Sequence, residues 1–447
     1  MEIKTGNIWN NFRTFFKSGL VGALILLLLI PTAFIQNLVS ERQQRQREAV
    51  AEIGSRWAGS QTVTGPVIGI PYYDSLSDNG TRQRVKRWAY FLPDKLAIHS
   101  RIVPEKRYRG IYEVIVYTTE MNISAGYQTI PIGELGLSPA DMLWKEATVF
   151  LDISDIQGLN EDVVMKVVTP GAVADVPMVS GLKTTEQWSN ALSAGLPDSL
   201  ARTALEKSDA GRPALEFGTT VRIKGSDNLL FVPVGKETKV SATSSWSSPS
   251  FTGSTLPDVR SIKDSGFAAD WKVIGLHRKF PQQWKQSSYE LAPSAFGVNL
   301  IVPVDAYQQT TRSVKYAILV ILLTFTAFLL IEWIYNLPIH ALQYVLVGFA
   351  LCIFYTLLLS LSEYLGFNTA YGLAAVATIG LIGWYVRSIL QSGKIAAFIT
   401  FLLVVQYGFI FILIQLQDYA LLMGSIGLFV TLAVVMQASK KIKWQTA

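Results

Sequence analysis

The chain alternates between two kinds of text. Long apolar runs occupy positions 20–39, 314–335, 341–361, 368–386, 395–416 and 419–438, each close to the length that crosses a bilayer as a helix, about 20 residues. Between the first run and the second lies a long mixed stretch with a different period. After the first run, positions 41–56 carry no breaker before Gly54. Ala49, Ile53 and Trp57 recur there every four residues, which predicts that the first helix continues as an amphipathic stem until Gly65-Pro66 ends it. Beyond it come short β-branched or aromatic segments at 67–73, 85–92, 111–118, 148–153, 221–223, 229–234, 240–246, 267–273 and 298–304, separated by Gly, Pro, Asn, Asp or Ser. That pattern predicts an antiparallel sandwich or a related sheet domain. One stretch, 184–207, reads as helix, with Leu192, Leu196, Leu200 and Leu205 as its apolar points.

The expected fold is therefore a membrane α-helical bundle of six transmembrane helices, one N-terminal and five C-terminal. A large mainly-β domain is inserted after the first helix. Four regions follow: 1–40, an N-terminal segment with the first transmembrane helix; 41–313, the β-rich domain; 314–438, a five-helix bundle; and 439–447, a tail. Composition agrees with this division. Half of the 447 residues are apolar and 16% are charged, well below the roughly 25% of a soluble domain. The first run follows Lys4, Arg13 and Lys17 but is too long for a signal-peptide core and lacks a small-x-small site at its end, so it reads as an uncleaved anchor.

The net charge of +6 changes the picture only by its location. Positions 41–311 hold 29 Lys+Arg and 29 Asp+Glu, so the excess belongs to the segments beside the apolar runs. A nucleic-acid partner is excluded on that ground, because such a partner needs a basic folded domain. With the N-terminus inside, the short cytoplasmic segments hold eight Lys+Arg and the short outer turns hold none. The positive-inside rule then places both termini in the cytoplasm and the β domain outside, in the periplasm.

Candidate chemistry is sparse. The single cysteine, Cys352, lies in an apolar run, and His99, His277 and His340 are widely separated. No disulfide or metal site is expected, and none of the hydrolase, nucleotide or dinucleotide motifs occurs. No catalytic residue, cofactor or metal is predicted. Polar residues within or beside the apolar runs are costly and so carry more information. Glu332, His340 and Gln343 flank one short turn, and Glu363 closes the other end of the third span. They are candidates for a proton- or ligand-responsive role, or for interfacial anchoring. In the β domain, Arg82, Arg84 and Lys86 alternate with Trp88 and Tyr90 on one strand face. From Arg82 to Arg109 there are nine basic and two acidic residues. These three cations are candidates for contact with an anionic surface, or for a solvated face paired to acids elsewhere.

Several local strings point to a family. Lys315-Tyr316-Ala317-Ile318-Leu319, Phe328, Glu332, His340, Gln343-Tyr344, Leu346-Val347-Gly348, Phe354-Tyr355 and Leu361-Ser362-Glu363 resemble the CreD family of bacterial inner-membrane proteins. Gly65-Pro66, Phe91-Leu92-Pro93, Arg109-Gly110-Ile111-Tyr112 and Ser265-Gly266-Phe267 with Trp271 agree with it. The resemblance implies a multi-pass protein of the cell inner membrane, needed for cell-envelope integrity and governed by a two-component regulator that answers envelope or cell-wall stress. It also implies a link to the β-lactam response in some bacteria and to colicin tolerance in others. The family brings no established catalytic residues. The expected partners are the lipid bilayer and envelope components or another envelope protein. The alternative is a transporter, linked to protons or lipid, working through the polar residues of the second and third spans.

Overall fold

The structure is a computed structural model. It describes residues 5–78, 81–169, 172–181, 185, 187–188, 191–197, 215–285, 288–300, 306–335, 339–416 and 419–440. The chain divides into two compact units: Met1–Arg47 with Val304–Ala447, and Glu48–Pro303.

The first unit is helical. Its elements are α1 (Thr5–Trp57, whose last turns belong to the second unit), α2 (Ala306–Lys315), α3 (Ala317–Tyr335), α4 (Ala341–Leu365), α5 (Phe367–Leu390), α6 (Gly393–Gln415) and α7 (Ala420–Ser439). Among the described residues six helices are long and apolar enough to cross a membrane, with α2 and α3 together forming the second span. This is the arrangement of one N-terminal and five C-terminal spans that hydropathy predicts. The second span starts earlier than position 314. Tyr307, Thr310, Ser313 and Val314 are buried at helical spacing on α2, so its buried face carries polar groups that a hydropathy window does not register.

The turn between α4 and α5 is Gly366 alone, at φ +72°, a region that glycine enters without a Cβ penalty. Gly348 has the opposite purpose. A Cβ there would collide with Leu28 of α1 and lie 3.1 Å from the Phe325 ring. Its missing side chain is what lets α1 pack onto α3 and α4.

The stem continues as expected, but α1 ends at Trp57, eight residues before Gly65, and the strand Gln61–Asp78 runs straight through Gly65-Pro66. The second unit holds two mixed sheets. The eight-stranded sheet has the order Val259–Lys263, Gly266–Ile274, Glu237–Ser244, Lys95–Arg109, Tyr112–Tyr127, Leu215–Ser226, Val164–Thr169, Ala172–Pro177. The nine-stranded sheet is built around Gln61–Asp78, which pairs Thr81–Phe91, Thr148–Ile153 and Asn228–Phe231. Among the described residues the ladders are antiparallel except two, Gln61–Asp78 with Asn228–Phe231 and Lys95–Arg109 with Glu237–Ser244. Alternate residues of both sheets, among them Ile68, Phe150, Ile98, Phe217 and Trp271, form one buried cluster.

The helix predicted over 184–207 is overturned where the structure describes it. Leu192–Gly195 is a strand, with Leu192 opposite Leu151, and three of its four residues are buried. Pairing to an existing sheet satisfies its backbone and buries Leu192 and Ala194 together, which outweighs a four-residue leucine spacing. Residues 198–214 lie outside the described residues.

Candidate functional site

The polar residues of the helical unit gather at its two ends. Glu332 lies in the last turn of α3. Its carboxylate ion-pairs with the Lys17 ammonium of α1 and accepts a hydrogen bond from the Tyr344 hydroxyl of α4 at 3.2 Å. Lys17 Nζ also donates to the Ile339 carbonyl at 2.7 Å. Three helices thus meet at one carboxylate, whose side chain is 11% exposed, and its lysine partner ties in the α3–α4 turn. His340 and Gln343 stand beside this cluster without entering it. The His340 N–H donates to Gln343 Oε1 at 3.0 Å and the Gln343 N–H donates to the His340 carbonyl at 2.9 Å. That reciprocal pair closes the start of α4 as a capping box does, and His340 itself is exposed.

Glu363 lies near the far end of α4, 19 residues beyond Tyr344, about 29 Å along the helix at 1.5 Å per residue. Its carboxylate accepts from the Tyr307 hydroxyl of α2 at 3.1 Å and faces Arg42 of α1 at 3.9 Å. The four candidates therefore do not form one site. Glu332 and Glu363 bind α1 at opposite ends of α4, and Gln343 serves the local backbone. Sequence reasoning missed Lys17, Arg42 and Tyr307 as partners. The available signal was a cation on the first helix near the level of each glutamate.

It missed Gln406 as well. This residue of α6 is 6% exposed and donates to the Val320 carbonyl at 2.9 Å, while the Thr324 hydroxyl donates to its Oε1 at 3.2 Å. Gln406 pins α6 to α3 in the bundle interior, where a polar group without a partner is expensive.

In the β unit, Arg84 and Lys86 lie on the strand Thr81–Phe91. Lys86 pairs with Glu146, and the Arg84 guanidinium sits 5.5 Å from the Tyr73 ring centroid. Position 82 is opposite Ser77 in the register, and its side chain lies outside the described residues. Along the same face Trp88 and Tyr90 stack at 6.4 Å, with Tyr90 buried. The alternation thus runs from a charged exposed end into the core. Among the described residues no three His, Cys, Asp or Glu side chains come together to hold a metal.

The geometry joins a six-span helical unit to a mainly-β unit, with Glu332, Gln343-Tyr344 and Glu363 all at structurally committed positions. A family model described as inner membrane protein CreD matches residues 13–445. The chain belongs to the CreD family. It is 30% identical over 437 residues to the inner membrane protein CreD of Escherichia coli (strain K12), a match covering 96% of this chain and 93% of that relative. The membership and the six apolar helices make it a multi-pass protein of the inner membrane. The cluster around Glu332 is largely shielded from water, so its salt bridge is less screened than an exposed one.

Proposed function

We propose that this CreD protein supports the integrity of the cell envelope, with its helical unit as an anchor and its β unit as a periplasmic brace or sensor, and that it does so without catalysing a reaction. The observation that carries this reading is the use to which the bundle puts its ionisable groups. Glu332 and Glu363 are both spent on holding α1, and Gln406 and Thr324 hold α3 to α6. Such contacts suit a rigid anchor. The charge pattern of the short segments supports both termini in the cytoplasm. Control by a two-component regulator, and a part in the response to β-lactams and other wall stress, are proposed on the strength of the family resemblance. Within the β unit, contact with anionic envelope material would fall to Arg82 and Arg84, since Lys86 has an internal partner in Glu146.

A proton- or lipid-linked transporter working through Glu332, His340, Gln343 and Glu363 is the second reading. The two separate in strains carrying Glu332→Gln, His340→Ala or Glu363→Gln, scored for sensitivity to detergent and β-lactam. The brace predicts wild-type resistance from His340→Ala, whose backbone makes the capping contacts, and partial loss from the glutamate variants through weaker docking of α1. Complete loss from His340→Ala with normal protein levels favours transport. A periplasm-dependent reporter enzyme fused after Ser254 is expected to be active, and an inactive fusion overturns the placement of the β unit.

A further inference from the structure

Two tyrosine hydroxyls in the interior of the helical unit have no protein partner. Tyr355 of α4 and Tyr407 of α6 are 0% and 2% exposed, and among the described residues neither phenol oxygen is hydrogen-bonded. Both lie well inside the bundle. Tyr355 is eight residues before Glu363 on α4, and Tyr407 is eight residues before Gln415 on α6, each about 12 Å along its helix. Gln415 donates to the Asn368 side-chain oxygen at 2.6 Å, just past the Gly366 turn that follows α4. The two tyrosines therefore stand at similar depth.

Their neighbours bring them to one place. The Phe354 ring is 4.9 Å from that of Tyr355 and 4.6 Å from that of Tyr407. Tyr371 of α5 closes the group, with its ring 5.3 Å from Phe354 and its hydroxyl donating to the Tyr407 carbonyl at 2.8 Å. Tyr355, Tyr407 and the buried Cys352 thiol lie within electrostatic range of one another. A hydroxyl without a partner is expensive where bulk water does not reach. Whatever answers this pair has to be small, because packed rings surround it, and has to both donate and accept. It also has to be neutral, since Cys352, Phe354 and Tyr371 offer no countercharge to an ion. Water meets all three conditions.

We propose that Tyr355 and Tyr407 hold an internal water molecule, which joins α4 to α6 through hydrogen bonds that the protein does not make by itself. Such a water is part of the fold, because its removal leaves both hydroxyls unpaired in the bundle interior.

The test is X-ray radiolysis of the full-length protein in detergent. Hydroxyl radicals form from water where it is bound and oxidise the side chains beside it, which mass spectrometry reads. Phe354 is expected to be oxidised severalfold faster than Phe217. Both are buried, but Phe217 packs on Tyr127, a phenol whose hydroxyl already has a protein partner. Tyr355→Phe with Tyr407→Phe brings Phe354 down to the Phe217 rate. Thermal unfolding gives a second reading. Each single Phe variant lowers the unfolding temperature, and the double variant falls no further than the lower single one, because one water serves both hydroxyls. Equal oxidation of Phe354 and Phe217 in the wild type overturns the proposal, as does fast oxidation of Phe354 that survives the double variant. So do single variants at least as stable as the wild type, the result for hydroxyls that bond to nothing, or losses that add in the double variant.

Discussion

A charged side chain at the edge of a bilayer holds its position when partners neutralise it, and Lys17 has two, the Glu332 carboxylate and the Ile339 carbonyl. Arg42 at the other end of the membrane part of α1 is 40% exposed and 3.9 Å from Glu363. At that distance the pair is looser than the Lys17 contact, although the Glu363 side chain is only 9% exposed. Lys17→Ala leaves the Glu332 carboxylate and the Ile339 carbonyl without their cation and is expected to cost about 2–3 kcal/mol. Lys17→Met with Glu332→Gln should recover most of that loss, since the uncompensated charge goes with it. Thermal unfolding in detergent micelles measures both, and a double variant as unstable as Lys17→Ala contradicts the pairing. Gly348→Leu tests the same docking from the packing side. Its side chain has to displace Leu28 and Phe325, and overpacking of this kind costs about 1–3 kcal/mol.

At the scale of elements, the β unit is held by hydrogen bonds that tie strands across its core. The Tyr117 hydroxyl donates to the Asn228 carbonyl at 2.6 Å, and the Tyr127 hydroxyl donates to the Pro66 carbonyl at 3.1 Å. Each links a strand of the eight-stranded sheet to the other sheet or to its edge. Burial pushes both phenols well above their ordinary range, with Asp227 adding to the effect at Tyr117 and Asp94 at Tyr127. Because the folded state keeps protons that the unfolded chain releases near pH 10, their contribution to stability is complete below about pH 10 and declines as the pH rises further. Ultraviolet titration of the phenols measures this. The last phenols should appear only together with loss of the β-sheet circular dichroism signal. If every phenol titrates reversibly near pH 10 in the folded protein, the buried positions of Tyr117 and Tyr127 are wrong. The elements also mark where local pattern fails. Leu192–Gly195 carries a helical leucine spacing yet joins a sheet, and α2 is polar by composition yet begins a membrane span, because burial against neighbours decided both.

For the whole molecule, the sequence by itself determined the six spans, the mainly-β unit between the first and second, and the family, because hydropathy, period and local strings are properties of contiguous residues. It also singled out Glu332 and Glu363, since an acid beside an apolar run is conspicuous wherever the chain goes. Which residues answer those acids was decided by tertiary structure alone. Lys17 and Glu332 are 315 residues apart, and nothing local distinguishes Lys17 from the other cations that flank α1. Their meeting depends on α1 packing against α3 and α4 at Gly348, a contact between distant segments. The two parallel ladders and the Gln406 pin have the same origin. Each joins residues that are neighbours only after the chain has folded.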